Sequence, residues 1–142
     1  MKKSKFSAII RGLAGLGVAI ALLLPVNNVY AAAILVTSNA DVVLVNGVCT
    51  LREALANANN DAATNVDCTA GTGVDTITFS GAMTITLTAS LPNITDVDLL
   101  TINGGSNVIV SGNNLFRIVT VNAAANVMFQ NITLQDGVVN GN

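Results

Sequence analysis

The chain has 142 residues, 51% of them apolar and only 10% charged, with a formal net charge of −2. It contains no histidine, which excludes an imidazole base and the usual mixed Cys/His zinc sites. From residue 32 onward only Arg52 and Arg117 face all eight acids (Asp41, Glu53, Asp61, Asp67, Asp75, Asp96, Asp98 and Asp136), a balance that repels phosphate backbones and offers no basic patch to an anionic membrane.

The first segment carries Lys2, Lys3, Lys5 and Arg11, then an apolar run from Leu13 to Pro25, then small residues around Val29-Tyr30-Ala31 with Ala32 and Ala33 behind. This order predicts a secretory signal peptide over residues 1–31, cleaved after Ala31 or Ala33. The apolar run falls short of the roughly 20 residues that cross a bilayer comfortably, which argues against an uncleaved anchor. No cysteine lies near the cleavage site, which argues against a lipid anchor. The mature part, about 110 residues, is long enough for one domain with its own core. The expected location is secreted or at the surface of a bacterial cell, with no membrane-spanning segment left after processing.

Ile34–Thr37 and Val42–Val45 read as two short strands, followed by turn chemistry at Asn46-Gly47. Thr50 and Glu53 form the T-x-x-E pattern of a capping box. Leu51, Ala54, Leu55 and Ala58 fall at i, i+3, i+4 and i+7, so a helix over 50–60 presents one apolar stripe. Glu53 therefore reads as a cap rather than a catalytic acid. Arg52 reads as solvated or paired with a nearby acid. Residues 61–74 read as a polar loop.

Cys49 and Cys68 are the only cysteines. In a secreted chain one pair most simply forms one disulfide. It would close a loop of about 20 residues and stabilise by on the order of 3 kcal/mol in the chain-entropy model. Two thiolates without histidine do not complete a zinc site. The sequence assigns no catalytic residue, no cofactor-binding residue and no metal ligand.

From Asp75 onward short strands alternate with Gly and Asn breakers. The strands are Thr76–Phe79, Met83–Thr88, Val97–Ile102, Val108–Val110, Leu115–Val121 and Val127–Leu134. Several alternate with period two. Leu100–Gly105, Ile109–Asn113 and Ile132–Gly137 resemble one another weakly, at the spacing of solenoid repeats. A right-handed parallel β-helix of about three turns over 75–142 explains this, with 34–74 as its N-terminal cap. An antiparallel sandwich is the competing architecture, but these strands are short for it. The helix would seal the first turn, since terminal repeats of a solenoid need a cap. No equivalent lid follows Asp136, so the chain reads as truncated or as the leading piece of a longer protein.

The combination of Cys49-Thr50-Leu51-Arg52-Glu53-Ala54-Leu55, Ala58-Asn59, Cys68-x-Ala-Gly-x-Gly and Asp75-Thr76-Ile77-Thr78-Phe79 resembles the CSLREA domain of bacterial surface proteins. Leu91–Thr95 and Thr101–Gly104 fit the same pattern. Thr50 stands where Ser is commoner, and both serve as N-caps. The resemblance covers about residues 34–137. It implies a right-handed parallel β-helix similar to polymorphic outer-membrane proteins and pectin-lyase-like folds, at the cell surface and mostly without a defined activity.

The leading functional expectation is a non-enzymatic surface module, adhesin-like or structural. Its partner would be a polysaccharide or a host or cell-surface ligand, and it would self-associate end to end through an uncapped last turn. The alternative is a fragment of a polysaccharide lyase or glycoside hydrolase. Asp96 and Asp98 are the best local carboxylate pair for hydrolysis, placed on one strand face by their i, i+2 spacing. The patterning favours them as outward, solvated residues opposite Val97 and Leu99. The same pair would bind Ca²⁺ only weakly, since calcium takes six to eight oxygens. Arg117, the one basic strand residue, reads as solvent-facing. A regular T-x-T ladder for ice binding is missing. Phe79 and Phe129 read as core residues.

Overall fold

A computed structural model describes residues 30–139. The signal peptide read over 1–31 lies outside these residues except for Tyr30 and Ala31. Six elements follow in order: β1 (Ala33–Val36), α1 (Leu51–Asn59), β2 (Asp75–Phe79), β3 (Met83–Thr86), β4 (Leu99–Ser111) and β5 (Asn126–Gln135). The fold is mainly β, with one short helix and one five-stranded sheet. Every pairing in that sheet is parallel, in the order β1-β2-β4-β3, with β5 also on β4.

Parallel neighbours cannot be joined by a tight hairpin, so each connection must travel around and return. The register shows what that path achieves. Ile34 lies beside Ile77, Ile77 beside Ile102, and Ile102 beside Phe129. Ile85 lies beside Val110, and Val110 beside Leu134. These form two rows of stacked apolar side chains, one residue from each strand. The first three members of the first row, and Ile85 and Val110 of the second, are buried. β4 serves both rows because it is long and interrupted: its register on β5 shifts between Asn103 and Val108. Gly105 and Asn107 have positive φ at that bend, a region that glycine and asparagine enter most readily. Gly104 permits close approach there, since a Cβ at that position would lie 2.4 Å from the Asn131 carbonyl oxygen.

A third line of parallel contact runs beside the sheet. Ile94 bridges Val121, the Ile94 N–H donates to Thr120 O (2.8 Å) and the Leu91 N–H to Ile118 O (3.0 Å). Leu115–Val121, read as a strand, makes only this bridge; its first residues instead form a turn closed by Phe116 N–H to Gly112 O. Val42–Val45 forms no strand either. Its backbone is held by side chains: Leu44 N–H donates to Glu53 Oε1 (2.8 Å) and Val42 O accepts from the Thr50 hydroxyl (2.8 Å). Phe79 is half-buried, and Phe129 is 37% exposed because no described strand covers β5.

The helix forms for local reasons. Thr50 is an extended N-cap whose hydroxyl accepts the Glu53 N–H, and Glu53 reaches back to the Thr50 N–H (3.0 Å). Leu51, Ala54, Leu55 and Ala58 are all buried, in one core with Ile34, Ile77 and Leu91. Asn57 lies inside the helix and is fully buried. No helix among the described residues is long and apolar enough to cross a membrane.

Candidate functional site

The junction between the helix-bearing segment 37–74 and the first sheet strands gathers much of the polar chemistry of the described residues. Cys49 and Cys68 form a disulfide. Asn57 organises the loop that this bridge closes. Its Nδ2 donates to the carbonyls of Asn65 (2.9 Å), Cys68 (3.3 Å) and Thr69 (3.0 Å), and its Oδ1 accepts the Asn65 N–H (2.7 Å). Gly71 packs against the helix end. A Cβ there would sit 2.3 Å from Asn57 O and 2.8 Å from Ala58 Cα.

Two helix side chains on one face, seven residues apart, complete the edge of the 89–96 segment. Arg52 donates to Ser90 O and Ala89 O (2.8 Å each). Asn59 donates to Asn93 O (2.9 Å) and accepts from the Thr95 N–H (2.9 Å) and the Asp96 N–H (3.3 Å). They bind these five backbone groups in place of a neighbouring strand.

Arg52 is also paired with Asp41. Burial alone would raise the Asp41 carboxyl. The Arg52 guanidinium and the N–H and hydroxyl of Thr88 outweigh that and hold it below its ordinary value.

Three further acids meet below the helix. Asp61 follows the helix C-cap, Asp75 begins β2, and Asp96 precedes β4. Each offers a carboxylate oxygen, and the three oxygens lie within 4.8 Å of one another. Asp75 is fully buried and Asp96 is 5% exposed, while Asp61 reaches solvent. One oxygen of each is fixed by backbone donors: Asp75 Oδ1 accepts from Thr72 (2.9 Å) and Ala32 (3.3 Å), Asp96 Oδ1 from Asp98 (2.9 Å), and Asp61 Oδ1 from Gly73. Asp75 Oδ2 and Asp96 Oδ2 are buried without any partner. Burial, and then the neighbouring negative charges, raise the carboxyls of both Asp75 and Asp96.

The sequence placed Asp96 and Asp98 together on a strand face as solvated residues. They lie in the bend before β4, and only Asp98 is exposed. Asp96 turns inward because Asn59 and Asp98 pin its backbone N–H and Oδ1. Its companions are instead Asp61 and Asp75, acids that only the folded path brings near. Arg117 is exposed and donates to the Thr120 hydroxyl (3.3 Å). On the other side of the cap, Val43, Leu44, Val45 and Val66 border an open cavity of about 160 Å³ with Glu53 and Asp67 at its wall.

Comparison of the chain with protein-family models, curated proteins and solved structures gave no match.

Proposed function

We propose that this chain forms a right-handed parallel β-helix with a helical cap on its first turn, exported from a bacterial cell, that acts at the surface as a non-enzymatic binding or structural module. One observation carries the reading: the rows Ile34–Ile77–Ile102–Phe129 and Ile85–Val110–Leu134 advance one residue per strand in parallel register. The Ile94–Val121 bridge adds a third line of parallel contact beside these two rows. Such stacking builds a rigid rod whose flat sides suit a polysaccharide or a cell-surface ligand. The helix seals one end with Leu51 and Leu55. Among the described residues nothing covers the apolar row at β5, where Phe129 and Leu134 are partly exposed.

The Asp96–Asp98 geometry weighs against a hydrolase built on that pair. A glycosidase needs both carboxyls to reach the sugar bond, and Asp96 faces the interior. The test is incubation of the purified chain with pectin-type polymers and with intact cells. Binding without new reducing or unsaturated ends agrees with the proposal. Product formation that is lost in Asp96→Ala or Asp98→Ala makes the chain a carbohydrate-active enzyme.

A further inference from the structure

We propose that Asp61, Asp75 and Asp96 form a calcium site that clamps the end of α1 to the start of β2 and the segment leading into β4.

The geometry has the scale of a cation shell. Calcium–oxygen distances of about 2.3–2.6 Å put opposite ligands about 5 Å apart and neighbouring ones closer. Three carboxylate oxygens within 4.8 Å of one another fall inside that span. The second observation is independent of the clustering. Asp75 Oδ2 and Asp96 Oδ2 have no hydrogen-bond donor, although each belongs to a side chain at least nine-tenths buried. An orphaned buried carboxylate oxygen is costly, and two beside each other are costlier still. Backbone amides fix Oδ1 of each of the three groups, which holds the carboxylates in place.

No basic side chain supplies the missing charge. Among the described residues the guanidiniums of Arg52 and Arg117 are engaged elsewhere, with Asp41 and Thr120. The last turn of α1 carries no basic residue, yet its carbonyl end points toward Asp61 and adds negative potential. If processing exposed the amino group of Ala32, which lies 3.3 Å from Asp75 Oδ1, it would cancel one of three charges and leave a divalent deficit.

The donors select the ion. All are hard oxygens, the chain has no histidine, and both thiols are spent in the disulfide, so soft and borderline metals lack their ligands. Magnesium usually keeps most of its water and takes one or two carboxylates, whereas calcium accepts carboxylate-rich protein sites. The exposed Asp61 gives the ion its way in.

The experiment is calorimetric titration of the full chain with calcium chloride after removal of metals by EDTA, with thermal unfolding in calcium and in EDTA. We expect one calcium per chain and a midpoint about 10 °C higher when calcium exceeds Kd about 100-fold. Asp61→Asn is the decisive variant. Asn tolerates the positive φ of residue 61 and keeps an oxygen for the Gly73 N–H, so the fold should persist while calcium affinity falls about tenfold or more through loss of one ligand charge. Asp98→Asn, an exposed neighbour, should bind as the parent does. The proposal is overturned if the parent chain takes up no calcium, if Asp61→Asn binds as tightly as the parent, if Asp98→Asn weakens binding equally, or if magnesium binds and calcium does not.

Discussion

Arg52 grips Asp41 with two nitrogens, Nε to Oδ1 and Nη2 to Oδ2, each at 2.9 Å, while the same guanidinium holds the carbonyls of Ala89 and Ser90. One side chain thus ties the cap loop, the helix and the segment after β3 together. The Asp41 carboxyl lies below its ordinary value of 3.8 in the folded chain. Its contribution to stability is therefore full above that value and is lost as pH falls through the folded one. Asp41→Ala should cost about 3 kcal/mol at neutral pH, because it leaves a partly buried guanidinium and the Thr88 donors unpaired. Urea unfolding at neutral pH and near pH 2 checks this: the difference from the parent should shrink in acid.

Glu53 is the second anchor. Its Oε1 accepts the Leu44 N–H (2.8 Å), and its Oε2 accepts the Thr50 N–H (3.0 Å). Glu53→Ala strands the Leu44 and Thr50 N–H donors in a buried place and should cost about 3 kcal/mol or more. Thr50→Ala should cost about 1–2 kcal/mol as a lost N-cap. Equilibrium denaturation of the two variants should preserve this order.

Gly71 and Gly81 make a matched pair. A methyl group at Gly71 would strike the helix backbone, while nothing lies within 4 Å of one at Gly81. Gly71→Ala should lose about 2 kcal/mol or more, and Gly81→Ala should stay within about 0.5 kcal/mol of the parent. Thermal melts of both, side by side, decide the point.

Two cleavage positions are open to the sequence, and the contacts of Ala32 separate them. Its N–H donates to Asp75 and its carbonyl accepts the Thr76 N–H (2.8 Å). Cleavage after Ala33 would remove both bonds from the start of β2. The exported chain is expected to begin at Ala32, as intact-mass measurement of the secreted product would read.

What the sequence made legible was local. The spacing of Leu51, Ala54, Leu55 and Ala58 requires only one helix, and Thr50 and Glu53 require only one turn. The single cysteine pair likewise left one partner for each thiol. What it hid depends on distant chain. Val42–Val45 carries strand-like residues, but Thr50 and Glu53 hold its Val42 carbonyl and Leu44 N–H in place of a strand partner. Leu115–Val121 looks continuous, yet Phe116 folds back on Gly112 before Val121 reaches Ile94. Asp96 was read beside Asp98 because period two is visible in a string of letters. Its real neighbours, Asp61 and Asp75, meet it only after the chain has gone around. The orphaned oxygens there had no signal in sequence beyond acids set among apolar strands.

The stacked register is most directly tested by cysteines at Thr101 and Met128, which are partners on β4 and β5. Aligned residues on neighbouring strands stand about 4.8 Å apart, inside the span a disulfide bridges. Mild oxidation of the Thr101→Cys/Met128→Cys chain should give that crosslink in high yield beside Cys49–Cys68, mapped by peptide mass, with cooperative unfolding retained. A folded chain that fails to link this pair, while a separate Thr101→Cys/Gln130→Cys chain links readily, would contradict the parallel stack.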